Sequence, residues 1–446
     1  MPLHTRILFG LVIGAVLGIG ANVTLGGTHE LVTGLNTWVA TPLGQIFLRL
    51  MFMVVMPLVF TSIVLGVAGI GDLRKVGRLG VRTLLFFAIS TTIAGSVGVA
   101  LVRLVQPGAA LPTAVRQELL TVFAGDAATK VAASKGSTFG LETFLNIVTR
   151  NPLKSAVDGD MLGVIFFGVM FGAALTLVTK ARAAPLVGAL EAVNDVMVKI
   201  VEIAMKLAPL GVAALIFGVT SRFGFSLLRP LGLFVAVVVV GLLLHAALLL
   251  VVGVRMGGGL SPLVFLGRVR TALVTAFSTS SSSATLPTNI QVAEDRLGIP
   301  PRIAGFVLPL GATMCMNGTA LFEGVTVLFL CQVFGVDLTL VQMIIVVAMT
   351  VLTAVGAAGV PGGSIPLLIG ILFMLGVPGE GIAIVLGVDR LLDMARTTVN
   401  VLGDLTCVTM LARGEGWDPT HLPPDVDGKL DQSPGWPQPG EIKPRV

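Results

Sequence analysis

Charged side chains are scarce in this sequence. They account for 12% of the 446 residues, whereas hydrophobic residues account for 54% and the mean hydropathy is +0.96. A soluble domain with so few charges could not keep its surface hydrated, so much of the apolar excess must face lipid. The formal net charge of +5 is small and spread along the loops, which argues against nucleic acid as a partner.

Histidine and cysteine are also rare, which argues against an enzyme. The four histidines are scattered along the chain: His4, His29, His245 and His421. None lies near the serine-rich segment in sequence, and no Gly-x-Ser-x-Gly motif occurs, so a serine hydrolase is not expected. The cysteines lack metal-ligand or disulfide spacing and are expected to be small buried hydrophobes. They are Cys315, Cys331 and Cys407. The sequence therefore predicts no catalytic residue and no organic cofactor.

Long apolar runs indicate what the chain has instead. The run from Pro230 to Val254 holds 25 residues without a charge, enough to cross a hydrocarbon layer of about 30 Å as a helix. Similar runs predict six ordinary membrane spans, near residues 6–26, 43–70, 80–105, 160–180, 188–220 and 228–254. The 55 glycines are more than plain spans need, and they favour closely packed or interrupted helices.

Basic residues predict the orientation of these spans. They cluster in the loops after the second, fourth and sixth spans: Arg74, Lys75, Arg78, Arg82, Lys180, Arg182, Arg255, Arg268 and Arg270. Those loops share one side, which the positive-inside rule makes cytoplasmic. We therefore predict a multi-pass protein of the inner (plasma) membrane with cytoplasmic N- and C-termini, and an external loop over 106–158.

The second half of the chain departs from the simple pattern in two places. Residues 338–379 are 42 uncharged positions, which as one helix would reach about 63 Å, roughly twice the hydrocarbon thickness. The glycines and proline of 356–364 predict a turn there, and therefore a re-entrant hairpin. Residues 278–285 hold seven hydroxyl side chains in eight, which predicts a second hairpin over about 262–293. Each hairpin precedes a helix with buried polar residues, a pattern typical of a transporter site near the midplane.

The last span carries a row of charged and polar residues. Asp389, Asp393, Arg396, Asn400 and Asp404 are spaced by 4, 3, 4 and 4, which places them within about 80° on one helical face. Inserting the four charged residues costs on the order of 10–14 kcal/mol, a cost that marks an ion or substrate path. The alternative is a structural ion pair between Asp393 and Arg396, which leaves Asp389 and Asp404 unexplained.

These residue types suit an acidic amino acid and a cation. Arg396 can bind a carboxylate in bidentate fashion, and Asp393 can accept an ammonium group. Asp404 and Asn400 offer hard oxygen ligands of the kind that alkali cations prefer.

The seventh span, near 300–332, contains one carboxylate, Glu323, after 20 uncharged residues. An apolar setting favours the neutral, protonated form of a lone carboxyl, as a proton carrier requires. The alternative is a neutral packing residue. In the same span, Asn317, Gly318 and Thr319 are expected to break the helix and to turn carbonyl groups and a hydroxyl inward.

Four motifs in the same order resemble those of the glutamate transporter family of dicarboxylate/amino acid:cation symporters, in particular its prokaryotic proton/glutamate members. They are Ser281-Ser-Ser-Ala-Thr-Leu-Pro287, Cys315-Met-Asn-Gly-Thr319, Gly359-Val-Pro-Gly362 and Asp393-Met-Ala-Arg-Thr-Thr-Val-Asn-Val-Leu-Gly-Asp404. The resemblance implies an all-α integral membrane protein with eight transmembrane helices, two re-entrant helical hairpins and inverted repeats. It also implies an elevator-type mechanism and a homotrimer embedded in membrane lipid.

The resemblance further implies a division into scaffold and moving transport domain. The scaffold would comprise 1–72 (spans 1 and 2) and 109–225 (the external loop with spans 4 and 5). The transport domain would comprise 73–108 (span 3) and 226–412 (span 6, first hairpin, span 7, second hairpin and span 8). Residues 413–446 would form a cytoplasmic tail.

By position, the resemblance assigns Arg396 to the substrate's side-chain carboxylate and Asp393 to its amino group. The rest of the pocket would be formed by Ser281, Ser282, Ser283, Thr319, Thr397 and Asn400, and closed by Val360, Pro361 and Gly362. Possible sodium sites would use Gly311, Thr313, Cys315, Met316, Asn400 and Asp404. Glu323 occupies the position of the proton-carrying glutamate of proton-coupled members.

The sequence also departs from the family pattern. Cys315 and Asn317 stand where the family has an asparagine and an aspartate, and Phe87 stands where a coordinating tyrosine is common; the chain has no tyrosine. These changes remove sodium ligands. Members also commonly keep an arginine where this chain has Ser280 or Met394.

The sequence thus predicts a symporter for L-glutamate or L-aspartate, coupled to protons in preference to sodium. The alternative is a sodium-coupled symporter for dicarboxylates or neutral amino acids. A passive anion channel is disfavoured because it needs a continuous polar pore, and a membrane enzyme because a base and metal ligands are missing.

Overall fold

A computed structural model of the chain describes residues 3–73, 77–111, 148–158, 161–356, 359, 362–420 and 422–423. All regular structure in these ranges is helical, with no strand, which agrees with the predicted all-α class. The described residues of the first half include these α-helices: α1 (Leu3–Leu25), α2 (Glu30–Leu35), α3 (Thr41–Phe52), α4 (Val55–Leu73), α5 (Arg78–Val105), α6 (Pro152–Asp158), α7 (Met161–Leu177), α8 (Lys180–Phe223) and α9 (Leu228–Leu248).

The second half is more interrupted, as its glycines and prolines predict. Its described α-helices are α10 (Pro262–Thr279), α11 (Ser282–Gln291), α12 (Pro301–Met314), α13 (Asn317–Phe334), α14 (Leu340–Gly356), α15 (Ile365–Met374) and α16 (Ala383–Gly414). Wider π-helical turns extend α9 over Leu249–Gly258 and α11 over Val292–Arg296.

Six helical stretches of the described chain are long and apolar enough to cross a membrane. They are Thr5–Leu25, Glu30–Ala68, Arg78–Ala109, Lys180–Phe223, Arg229–Gly258 and Pro301–Phe334. Five of these overlap predicted ordinary spans, and the sixth overlaps the predicted seventh span. The span predicted over 160–180 corresponds to a shorter apolar helix, Gly163–Leu177. The charged helix α16 is long enough at 32 residues but is not among them.

Two predicted spans have different limits in the structure. The span predicted over 188–220 is part of one 44-residue helix, α8, which begins at Lys180. The span predicted over 43–70 is broken between α3 and α4 at Met53 and Val54. Pro57 explains the break, because a proline four residues later cannot donate to the carbonyl of Met53 and its ring crowds that carbonyl.

Both predicted hairpins are present as pairs of helices. In the first, α10 ends at Ser280 in a left-handed conformation (φ 51°), and Ser281 caps α11 by accepting a hydrogen bond from the N–H of Ala284 (3.1 Å). The second hairpin is formed by α14 and α15. The hairpin tips touch, because Ser281 Oγ donates to the carbonyl oxygen of Gly359 (2.6 Å) and the N–H of Ser283 donates to the same oxygen (3.2 Å).

Helices α12, α13 and α16 occupy the centre of the protein. The most apolar window of Pro301–Phe334 is fully buried by protein, whereas those of the other five apolar stretches are at most half buried. Helix α16 packs against α9, α10, α12 and α13. Its charged side chains are therefore shielded from lipid by protein, which is the arrangement that intramembrane charges require.

Candidate functional site

The centre of the site is the guanidinium of Arg396, which is 1% exposed. Its Nη1 lies 3.0 Å from Asp389 Oδ1, and its Nε donates to Asp393 Oδ1 at 3.0 Å. Its carbon Cζ lies 4.2 Å from the centroid of the Phe322 ring, on α13. The two carboxylates and the aromatic face hold the guanidinium in one orientation, because planar guanidinium groups both stack and bind carboxylates through paired N–H donors.

A second guanidinium, which the sequence analysis missed, completes this cluster. Arg390 is buried, and its Nη1 donates to Asp393 Oδ2 at 3.3 Å. The same oxygen accepts the backbone N–H of Gly362, from the second hairpin, at 3.2 Å. The spacing of three between Arg390 and Asp393 is the signal that could have found this pair, since such residues are neighbours on a helix.

The ion-pair alternative for this face is partly right. Arg396 pairs with Asp393 as that alternative required, and it also pairs with Asp389, so the statement that Asp389 would be left unexplained is wrong. Asp404 remains outside the network. The two aspartates and two arginines have a formal charge of zero, which is the balance that buried ionised groups need.

Asn400 links the charged face to the break between α12 and α13. Its Oδ1 accepts hydrogen bonds from the N–H of Gly318 (2.7 Å) and of Thr319 (3.4 Å), the first amides of α13. Its Nδ2 donates to Thr319 Oγ1 (3.2 Å) and to Met316 Sδ (3.3 Å). The break itself falls at Cys315 and Met316, two residues before the predicted start, because Asn400 satisfies the orphan amides that open the second helix.

The remaining predicted pocket residues are only partly brought together. Ser281, Ser282 and Thr397 are buried, and Ser283 has an exposed side chain although its amide contacts Gly359. Gly362 lies at the second hairpin with φ +74°, a backbone conformation that favours glycine. The other two predicted gate residues, Val360 and Pro361, lie outside the described residues.

Asp404 is fully buried and lies apart from the Arg396 cluster. Neither of its carboxylate oxygens has a hydrogen-bond partner among the described residues. Gly311 is so close that an added Cβ would lie 2.5 Å from Asp404 Oδ1. Asn317 also borders this region: its Oδ1 accepts from Thr91 Oγ1 (3.0 Å), while its Nδ2 finds no partner in the described chain. Unsatisfied buried oxygens suit a cation or a proton, because a bare buried carboxylate is costly.

Of the other predicted sodium-site residues, Cys315 is buried and Thr313 is exposed. Cys315 is fully buried next to Asn317 and Gly403. Thr313 has an exposed side chain, and its hydroxyl donates to the backbone carbonyl of Leu310 (3.0 Å). Only the backbone of Thr313 is therefore available on the inner side.

Glu323 is fully buried on α13, and it contacts the second hairpin. Its Oε2 accepts a hydrogen bond from Thr353 Oγ1 on α14 at 2.6 Å. Its Oε1 has no hydrogen-bond partner among the described residues. The sequence analysis did not single out Thr353, because nothing in the chain links two positions 30 residues apart. A carboxyl with one hydroxyl donor and no paired cation is better suited to the neutral than to the ionised form.

The backbones of α13 and α16 approach each other closely at Gly318, and a substitution there can test this contact. Replacing Gly318 with alanine would place a methyl group against the backbone carbonyl oxygen of Arg396. We expect the free energy of unfolding to fall by about 1–3 kcal/mol, because two backbones would have to separate. The matched control is Gly305→Ala in α12, whose added Cβ meets no described atom within 4 Å and should leave stability unchanged or slightly raised. Thermal unfolding of the purified protein in detergent checks both, and equal melting temperatures would contradict the prediction.

Comparison with known proteins identifies the family to which the chain belongs. Residues 3–414 match the model of the sodium:dicarboxylate symporter family. The chain is 36% identical over 411 residues, 92% of each chain, to a protein of Escherichia coli (strain K12) named proton/glutamate-aspartate symporter. It is 37% identical over 417 residues, 92% of this chain and 94% of the relative, to the proton/sodium-glutamate symport protein of Bacillus subtilis (strain 168).

A third relative carries a different name. It is the C4-dicarboxylate transport protein of Anaeromyxobacter sp. (strain K), 32% identical over 416 residues, 93% of this chain and 90% of the relative. Since the family model covers nearly the whole chain, the predicted resemblance is confirmed. The chain is a multi-pass membrane protein that belongs to the sodium:dicarboxylate symporter family, a family of transporters and not of enzymes.

Proposed function

We propose that this protein is a secondary active symporter that takes up L-glutamate or L-aspartate together with cations, with protons favoured over sodium. The observation that carries the proposal is the buried Arg396 guanidinium, which is paired with two aspartates and linked through Asp393 to the hairpin tip at Gly362. A buried guanidinium next to a movable hairpin is a site that a carboxylate can reach and that protein can then enclose.

The geometry supports a zwitterion with an acidic side chain as the substrate. Arg396 would exchange an aspartate partner for the substrate's side-chain carboxylate, and Asp393 would accept its ammonium group. Thr319, Thr397 and Asn400 would supply neutral hydrogen bonds, and the tip backbone of Ser281, Ser282 and Ser283 would complete the pocket. Val360, Pro361 and Gly362 would close it. Asp393 favours amino acids over plain dicarboxylates, because a dicarboxylate has no cation to offer it.

Charge balance supports coupling to a cation. The cluster formed by Asp389, Asp393, Arg390 and Arg396 is formally neutral, and an acidic amino acid adds a net charge of −1 at neutral pH. Bringing that charge into a buried site is costly unless a positive charge comes with it. A proton on Glu323 would supply it, and so would a cation beside Asp404.

The residues around Asp404 favour the proton over sodium. Of the possible sodium-site residues, Cys315 offers a thiol, and the neighbouring Asn317 an amide whose oxygen already accepts from Thr91. Phe87, which is buried, has no oxygen at all. Hard cations prefer oxygen ligands. Among the described possible sodium-site residues, Asp404 has unpartnered side-chain oxygens, whereas the Asn400 oxygen already accepts from Gly318 and Thr319. The remaining ligands would be backbone groups of Gly311, Thr313 and Met316. The Escherichia coli relative is named for protons alone, and the Bacillus subtilis relative for protons and sodium.

The architecture we propose follows the resemblance. Eight transmembrane helices and two re-entrant hairpins would be divided into a scaffold (1–72 and 109–225) and a transport domain (73–108 and 226–412), with 413–446 as a tail. Three copies would assemble in the inner membrane with cytoplasmic termini, and the transport domain would move as an elevator. The burial of α12, α13 and α16 within one body supports such a domain, since its charges would cross the membrane enclosed by protein.

The test is uptake of labelled L-glutamate and L-aspartate into proteoliposomes. Three conditions are compared: a pH gradient with the outside acidic, a sodium gradient with the higher concentration outside, and no gradient. We expect the pH gradient alone to drive accumulation, since each pH unit is worth about 1.4 kcal/mol, or about tenfold, per coupled proton. A protonophore is the control. Uptake only with sodium would contradict the proton preference while leaving symport in place.

The second candidate function is sodium-coupled transport of dicarboxylates, supported by the Anaeromyxobacter relative. Unlabelled succinate and alanine in excess separate the candidates in the same assay. Competition by L-aspartate but not by succinate or alanine supports the proposed substrate. Stronger competition by succinate would favour the dicarboxylate function.

A further inference from the structure

Both carboxylate oxygens of Asp393 are bound by groups of the protein itself. Oδ1 lies 2.9 Å from Arg396 Nη2, and Oδ2 accepts hydrogen bonds from Arg390 Nη1 and from the N–H of Gly362. A substrate ammonium group that binds Asp393 must therefore replace one of these donors. The question is which donor gives way.

Of the two guanidinium groups bound to Asp393, that of Arg390 is the more weakly held. Its contact with Asp393 is the longest, at 3.3 Å, and its Nε has no hydrogen-bond partner among the described residues. Arg396, in contrast, is bound to two aspartates and stacked on Phe322. A flexible side chain with one long contact can withdraw at low cost, whereas one held on three sides cannot. Arg390 is therefore the group that an ammonium displaces.

The charge of Arg390 is needed when no substrate is bound. Without it, Asp389, Asp393 and Arg396 sum to −1, and a buried unpaired carboxylate is strongly unfavourable. A carrier that performs net uptake must return across the membrane unloaded, with this cluster enclosed by protein. A carrier that only exchanges internal for external substrate makes both crossings loaded, so that the ammonium supplies the positive charge each way.

We propose that Arg390 takes the place of the substrate ammonium at Asp393 Oδ2 and thereby allows the unloaded carrier to return. Arg390 is a positioning residue: it keeps Asp393 charged, oriented and bound to the tip of the second hairpin at Gly362 until a substrate arrives. This inference rests on the proposed acidic amino acid symport and identifies the residue that would make net transport possible.

The test compares two modes of transport in one preparation of proteoliposomes. Net uptake of labelled L-glutamate is measured into empty vesicles under a pH gradient, and homoexchange into vesicles that contain unlabelled L-glutamate. For Arg390→Ala we expect net uptake to fall at least about tenfold, with exchange close to the wild-type rate. Arg390→Lys keeps the charge and should restore net uptake. Arg413→Ala is the matched control, since Arg413 is exposed on the same helix and, among the described residues, donates to the backbone carbonyls of Met256 and Gly257.

The outcomes separate this inference from the function on which it rests. A selective loss of net uptake in Arg390→Ala, restored by lysine, supports the proposal. If both Arg390→Ala and Arg390→Lys lose net uptake and exchange equally, Arg390 is only structural. If Arg390→Ala keeps the wild-type rate of net uptake, the charge of Arg390 is dispensable. Either result overturns the proposal. If the wild-type protein neither takes up nor exchanges acidic amino acids, the proposed function fails first.

Discussion

The Arg396→Ala variant is expected to lose uptake of L-glutamate and L-aspartate to below detection. The substitution removes the guanidinium that would bind the side-chain carboxylate, and it leaves Asp389 and Asp393 facing each other without their shared partner. Truncating one partner of a buried, hydrogen-bonded charge pair in a binding site costs about 2–5 kcal/mol of binding free energy, which corresponds to a loss of affinity of roughly thirtyfold or more. Labelled uptake at several substrate concentrations measures the effect.

Two further measurements keep this result interpretable. The Arg396→Lys variant retains the charge but not the planar fork, so the protein should fold and its apparent affinity for acidic substrates should weaken. Size-exclusion chromatography in detergent checks that each variant is correctly assembled. If Arg396→Ala folds and still accumulates L-aspartate at the wild-type rate, the guanidinium does not bind the substrate and the proposed orientation is wrong.

The second large effect is expected from Glu323→Gln. Glutamine has nearly the same shape and keeps a carbonyl oxygen that can accept from Thr353 Oγ1, but it cannot bind or release a proton. We expect uptake driven by a pH gradient to be lost, whereas exchange under equal pH on both sides persists. The physical reason is that the buried carboxyl of Glu323 would carry the proton that offsets the charge of the substrate.

The matched control for Glu323→Gln is Glu202→Gln on α8, which changes an exposed carboxylate paired with Lys199. That variant should keep both modes of transport, because a surface ion pair contributes little and lies on solvent- or lipid-facing surface. Normal pH-driven accumulation by Glu323→Gln would remove Glu323 from the coupling mechanism. The proton would then have to be sought elsewhere, and Asp404 is the next buried carboxyl.

The spacing of the last span predicted that Asp389, Asp393 and Arg396 share one side of the helix, and in the structure Arg396 bonds to both aspartates. Asp389, Asp393, Arg396, Asn400 and Asp404 are all at most 5% exposed. Burial alone does not distinguish this side, because most of α16 is buried. Both segments that were predicted to form hairpins, from their lengths and turn residues, contain a pair of helices in the structure: α10 with α11, and α14 with α15. Both predictions depend on local geometry and on the thickness of the hydrocarbon layer, which a single sequence contains.

Contacts between distant segments could not be predicted in the same way. The hydrogen bond from Ser281 to Gly359 joins residues 78 positions apart, and that from Thr353 to Glu323 joins residues 30 positions apart. No periodicity relates such positions, because their proximity depends on how whole helices pack. The capping of α13 by Asn400 is of the same kind, and it explains why the break begins at Cys315.

The sequence by itself determined that this protein crosses the membrane several times, that its second half is interrupted by glycine, proline and serine, and that one helix carries several charged residues. These properties follow from hydropathy, segment length and helical period. The tertiary structure decided how the polar groups are paired: Arg396 with two aspartates, Arg390 with Asp393, and Glu323 with Thr353. Pairing is a tertiary property because the free energy of a buried charge depends on which group faces it, and packing sets that choice.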